Sequence, residues 1–170
     1  MSDNYIISTE RCRLREMRKG DGEFLVALNQ HPDVQIFTGD LPFESSEAAE
    51  KFIEDYDAYR VYGMGRWLIE EKNRKTPIGF CGIKYHPKDK QFDLGYRILP
   101  EYWNQGYATE CGLGCLKWAT SKGISSIVTC IHPSNTKSMR VSEKLDFRYA
   151  YERYYGEIVW LVYEPKIKES

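Results

Sequence analysis

Gly106 sits where a run of residues could hold an anion. It lies in LGYRILPEYWNQGYATECGLG, Leu94 to Gly114, between an alternating apolar run (Leu94, Tyr96, Ile98) stopped by Pro100 and a segment of small residues. The pattern predicts a strand, a turn and a helix opening at the glycine. A helix N-terminus presents unpaired backbone N–H groups and a partial positive charge, which together favour phosphate. Lacking a side chain, Gly106 lets backbone approach the oxygens, while Ala108, Cys111, Gly112, Cys115 and Ala119 let the helix sit close on a sheet. An ordinary strand-to-helix connection would use the same residues. Two commoner phosphate loops are excluded by inspection: GxxxxGKS/T does not occur and GxGxxG follows no strand, so kinase and dinucleotide readings lack their motifs.

The remaining reactive types carry less. His31 and His86 precede prolines and read as loop positions, and His132, before Pro133, reads as a turn residue. The five cysteines, Cys12, Cys81, Cys111, Cys115 and Cys130, form no CxxC pair, so they are expected to be reduced and buried, with no metal site. Lys and Arg number 24 against 25 Asp and Glu, a balance that advertises neither nucleic acid nor an anionic membrane as partner. Charge at the start of the chain and the lack of a long apolar run predict a cytoplasmic protein. With 170 residues and no linker-like segment, residues 1–170 are expected to form a single domain.

The elements that must position these groups follow from periodicity. RCRLREMR predicts a strand and KGDGEFLVALNQ a short helix. Ser45 or Ser46 caps a second helix with Ala49, Phe52, Ile53, Tyr56 and Tyr59 as its apolar stripe, ending near Gly63. GRWLIEEKN, PIGFCGIKYH and QFDLGYRIL read as an antiparallel meander. The helix after Gly106 closes at Gly123 and leads to the strand SSIVTCIH, giving a βαβ unit with parallel strands. A last helix, NTKSMRVSEKLDF, precedes a hairpin around Gly156. Tyr149, Tyr151 and Tyr155 are expected on one strand face, as core or dimer surface. The fold class is α+β: three layers about a mixed, mostly antiparallel sheet.

Taken together, TERCRLREM, HPDVQIFTG, PIGFCGI, DLGYRILPEYWNQGYATE and NTKSMRVSEKLDF resemble, in order and spacing over essentially the whole chain, the GNAT superfamily of N-acetyltransferases, in its RimJ/RimL-like branch. The resemblance implies acetyl-CoA as cofactor, with CoA as product, bound where the parallel unit splays into a cleft. The family pattern Gln/Arg-x-x-Gly-x-Gly/Ala falls on Trp103 to Ala108, with Trp103 replacing the first residue, so Asn104, Gln105, Gly106, Tyr107, Ala108 and Thr109 are expected at the pyrophosphate. The strand edge Tyr96, Arg97, Ile98 and Leu99 is expected along the pantetheine arm, as an added peptide strand would be. N–H groups near Ile98 and Leu99 would meet the oxyanion, and Asn135 and Ser138 would contact the cofactor. Asp93 stands where several members carry a catalytic glutamate. Ser142 replaces a tyrosine proton donor of many members, leaving Ser138 as the candidate acid. Asp146 replaces a helix-stop glycine and should tolerate the left-handed conformation. Phe37 and Asp40 belong to the loop that borders the acceptor. The implied activity is acetyl transfer to a primary amine, the N-terminus of a ribosomal or other protein, by direct attack in a ternary complex. A small amine such as a polyamine or antibiotic, or a non-catalytic cofactor-binding module, is the alternative; the chain would be a monomer or homodimer.

Overall fold

Residues 4–167 are described by a computed structural model. The alternating run near the start forms β2 (Cys12–Arg15), paired antiparallel with a strand the sequence pattern does not announce, β1 (Tyr5–Ser8). Helix α1 (Gly22–Gln30) and the short α2 (Pro32–Gln35) follow. The second predicted helix is two. α3 (Ser46–Asp55) is capped by the Ser45 hydroxyl, which accepts from Ala48 N–H at 3.0 Å, and α4 (Ala58–Tyr62) stops at left-handed Gly63. The break between them lets Tyr56 and Tyr59 turn their hydroxyls onto the backbone of Arg66 and Met17, bonds a continuous helix would not aim.

The meander appears as expected: β3 (Arg66–Glu71), β4 (Thr76–His86) and β5 (Gln91–Ile98), all antiparallel. A 3-10 turn at Pro100–Tyr102 leads to α5 (Tyr107–Ser121), then β6 (Ile127–Ile131), α6 (Thr136–Lys144), β7 (Phe147–Tyr155) and β8 (Ile158–Pro165). Asp146, ending α6, is left-handed at φ 63°, as expected of a residue in a glycine's place. The eight strands make one sheet in the order β1-β2-β3-β4-β5-β6-β8-β7.

Among the described residues only β5 and β6 run parallel, and they pair at Phe92–Ile127 and Asp93–Val128 before separating. The larger core lies between the sheet and α5, where Trp67, Ile78, Cys81, Ile83, Leu94, Cys111, Cys115 and Ala119 are buried. On the opposite face Met17, Leu25, Ala49 and Leu68 pack under α1 and α3. The β7 tyrosines do not form a core: Tyr149, Tyr151 and Tyr155 are exposed, and a bulge between Tyr149 and Tyr151 interrupts their alternation.

Candidate active site

Beyond Asp93 and Val128 the parted strands open on a cavity of about 1510 Å³ that runs from the start of α5 to the loop after α2. Backbone direction decides which groups of β5 face it. Leu99 donates its N–H to Ile78 O at 2.9 Å and its carbonyl accepts from Tyr102 N–H, so Leu99 belongs to the β4 side and is corrected as an edge residue and oxyanion candidate. Strand alternation then turns the main-chain groups of Tyr96 and Ile98 toward the gap, where the Ile98 carbonyl already accepts from the Trp103 indole at 2.7 Å. Arg97, also expected on this edge, instead extends its side chain across the other face to Asn29 and Asp40.

At the mouth, Gly106 takes φ 82° and Asn104 φ 59°, both left-handed, which bends the chain so that α5 begins pointing into the cavity. The loop is braced from outside. Arg11 donates to Gln105 O at 2.9 Å and to Glu110, and its guanidinium covers the Tyr107 ring at 4.0 Å. Burial raises the Glu110 carboxyl, but the Arg11 backbone N–H, the Thr9 hydroxyl and the Arg11 charge outweigh it and hold it below its ordinary value. Ala108 and Thr109 line the cavity beside Gly106. Arg11 sits 3.4 Å from the place a Cβ on Gly106 would occupy. The loop therefore fits a pyrophosphate: backbone donors, no side chain in the way and a guanidinium close by.

On the α6 side, Asn135 caps the helix, its Oδ1 accepting from Ser138 N–H at 3.2 Å. The Ser138 hydroxyl meets the Tyr96 hydroxyl at 2.8 Å across the cavity. Burial pushes the Tyr96 phenol up to about 12, against the lowering effect of that bond. Ser142 is buried at the cavity wall, its hydroxyl bonded to Thr129 at 3.1 Å.

On the α1 side the decisive group is Asp93. Arg66, Gly82 and Gly95 stand in one row across β3, β4 and β5. Gly82 lets the backbone of β3 approach closely and Gly95 leaves room for the Arg66 guanidinium to lie over the sheet, bonding Gly82 O at 2.8 Å, Asp93 O at 3.1 Å and the Asp93 carboxylate. An ideal Cβ at Gly95 would stand 2.5 Å from Arg66 Nη2. His86 Nε2 holds the other carboxylate oxygen. Burial raises the Asp93 carboxyl, but the Arg66 charge and the bonds from His86 and Arg66 prevail and keep it well below the usual range. His86 is not a loop residue: it ends β4 opposite Gln91.

The acceptor loop is anchored as well. Phe37 meets His132 edge-on at 5.9 Å, His132 meets Trp160 at 6.0 Å, and Gly39 lies under Trp160. Asp40, expected to attract a cation, is ion-paired with Arg97. Arg153 reaches the same side from β7, bonding Gln91 and lying near Cys130, whose thiol burial pushes up to about 11. Arg66, Arg153 and Trp160 carry no signal in the sequence reading, and His86 reads there as a loop position. The hairpin register that brings His86 beside Asp93, and the Arg66-Gly82-Gly95 row, were in principle readable once strand pairing was drawn.

Residues 11–148 match the family model described as an acetyltransferase (GNAT) domain. An uncharacterised N-acetyltransferase of Bacillus subtilis, YoaA, is 30% identical over 146 residues, covering 84% of this chain and 82% of the relative. Among solved structures, an acetyltransferase from Agrobacterium tumefaciens superposes with a TM-score of 0.81 at 23% identity, covering 98% of this chain and 96% of that one. RimL, a ribosomal alpha-N-protein acetyltransferase, superposes at 0.79 with 18% identity, covering 96% and 94%. At such identities the last two likenesses speak for the fold.

Proposed function

Because the chain belongs to the GNAT acetyltransferase family and is an acetyl-CoA-dependent N-acetyltransferase, we propose that its acceptor is the free N-terminal amine of a polypeptide. The observation that carries this reading is the state of the acceptor-side carboxylates. Asp40 and Asp93 are both engaged by arginines, and the cavity they border is wide. A polyamine site would instead offer several unpaired carboxylates to several ammonium groups. Eight Lys and Arg side chains border this cavity against four carboxylates, Asp33, Asp40, Asp89 and Asp93, which suits one amine on a chain that is otherwise neutral or acidic. RimL, with the same fold, is a relative in shape that acts on a protein N-terminus by its name.

In this reading the N-terminus of α5, with Gly106 to Thr109 and Arg11 behind them, holds the pyrophosphate, and Tyr96 and Ile98 bond the pantetheine arm through their backbone. Asn135 adds its side-chain amide at the start of α6. The cosubstrate supplies an activated acetyl thioester, and this chain supplies orientation, an oxyanion donor at the Ile98 N–H and proton handling. Asp93 stays ionised between Arg66 and His86, so its part is to place negative charge beside the acceptor's amine, while the released proton leaves through water on the side of partly exposed His86.

Calorimetric titration of acetyl-CoA, CoA and desulfo-CoA tests the cofactor assignment, with Gly106→Trp expected to abolish binding by all of them. Turnover of matched acceptors tests the rest. Peptides with a free N-terminus should exceed both spermidine and N-terminally blocked lysine peptides in kcat/KM; preference for spermidine would overturn the proposed acceptor.

A further inference from the structure

Resting on the acetyltransferase reading, we propose that Tyr96 is the proton donor to the departing CoA thiolate, with Ser138 as the positioning residue that orients and reprotonates it. Attack of a neutral amine on the thioester carbonyl forms the C–N bond and breaks the C–S bond, leaving electrons on sulfur that must be met by a proton. The amine's own surplus proton departs on the face that carries Asp93. In this reading the sulfur would lie in the gap between β5 and β6, so its donor would come from the side chains that border that gap toward α6.

Few groups there qualify. Ser142 is closed off by Thr129. His132, just past β6, accepts from Ser134 N–H through Nδ1 and is held between Phe37 and Trp160, at the acceptor loop. Lys137 sits 4.7 Å over the Trp103 ring, at the mouth. Arg140 and Lys144 are exposed. Cys81 lies on the core side of Tyr96, fully buried against Cys115. Ser138 is an alcohol, far too weak an acid to give up its proton unaided. Tyr96 remains: a phenol, on the strand whose backbone faces the gap, with its hydroxyl tied to the first turn of α6 by a 2.8 Å bond.

Burial keeps that phenol protonated throughout the working pH range, ready to donate and poor at remaining a phenolate. The balance is then complete. Tyr96 Oη–H transfers its proton to sulfur as the C–S bond breaks; the phenolate takes the Ser138 hydroxyl proton while Ser138 accepts one from solvent water. Ser138 is partly exposed, which gives that water access. Its orientation comes from the Asn135 cap of α6, so the donor, its partner and the helix start act as one unit.

Tyr96→Phe, isosteric except for the hydroxyl, tests the proposal. We expect kcat to fall about 10²-fold, within the usual range for one general acid, while acetyl-CoA and desulfo-CoA affinities stay within about twofold. Ser138→Ala should lower kcat about tenfold, and the double variant should be no slower than Tyr96→Phe alone, since both act on one proton. A second readout is independent of turnover and of small changes in packing. The thiolate absorbance of bound CoA, titrated with pH, should give a thiol pKa about one unit lower in the wild-type protein than in Tyr96→Phe, because only the former donates a hydrogen bond to the thiolate. An unchanged kcat, or equal bound-thiol pKa values in the two proteins, would overturn the assignment while leaving the acetyltransferase reading intact. Failure of the wild-type protein to bind CoA at all would overturn both.

Discussion

Arg66 reaches Asp93 because Gly95 leaves the sheet surface bare beneath its guanidinium, and the consequence is a carboxylate whose chemistry its neighbours decide. A carboxyl depressed in the folded state stabilises the fold above its unfolded value, near 3.9, and that contribution is lost as pH falls through the folded value. Asp93→Asn leaves the Arg66 guanidinium without its anion, so urea denaturation at pH 7 should show a loss of about 3 kcal/mol. The gap between the two proteins should narrow below about pH 4, where the unfolded wild-type chain takes up a proton that the folded one refuses. A gap that does not change with pH would mean that Asp93 is not depressed. The same residue marks the limit of sequence reading. Asp93 was recognisable as a candidate because it stands where related sequences carry a glutamate, but its partners lie 27 residues upstream and at the end of β4, and only cross-strand register brings them together.

At the scale of elements, α6 begins on Asn135, which both caps the helix and sets Ser138. Two substitutions separate those tasks. Asn135→Ala should cost about 1 kcal/mol of stability through the lost cap. Asn135→Asp keeps a capping oxygen, and stability with it, yet removes the amide donor and adds negative charge beside the proposed phosphate and thioester site. Its KM for acetyl-CoA should therefore rise more than that of the alanine variant, by about tenfold, and equal KM values in the two variants would remove Asn135 from cofactor contact. The helices and the meander were legible because each carries its own period and its own stops: Gly123 for α5, Gly156 for the last hairpin, Ser45 for α3. β1 was not, since its four residues owe their strand conformation to pairing with β2, and the break after Asp55 was not, since it answers to Arg66 and Met17 rather than to local preference.

Across the whole molecule, the two ends of the sheet are joined through a seam of two residue pairs, Phe92–Ile127 and Asp93–Val128. Every other neighbouring pair of strands is antiparallel, and β7 with β8 pair over most of their lengths. Amide hydrogen exchange should report this unevenness. The amides of Tyr96 and Ile98 should exchange faster than those of Ile83 or Leu68 in the free protein and slow on addition of CoA, whereas equal protection with and without CoA would mean that the gap does not receive the pantetheine arm. Among the described residues no helix is long and apolar enough to cross a membrane, and exposed aromatic groups gather on β7, at the far edge from β1.

A sheet left unstitched past its second rung is one strand short, and the small molecule that fills the slot serves as that strand. Folding and occupancy then become one equilibrium. With ligand at about a hundred times its dissociation constant the native state gains roughly 2.7 kcal/mol, so the melting temperature of this enzyme becomes a gauge of how much acyl donor surrounds it. Copies starved of donor would be the first to open, and the opening would start at the seam.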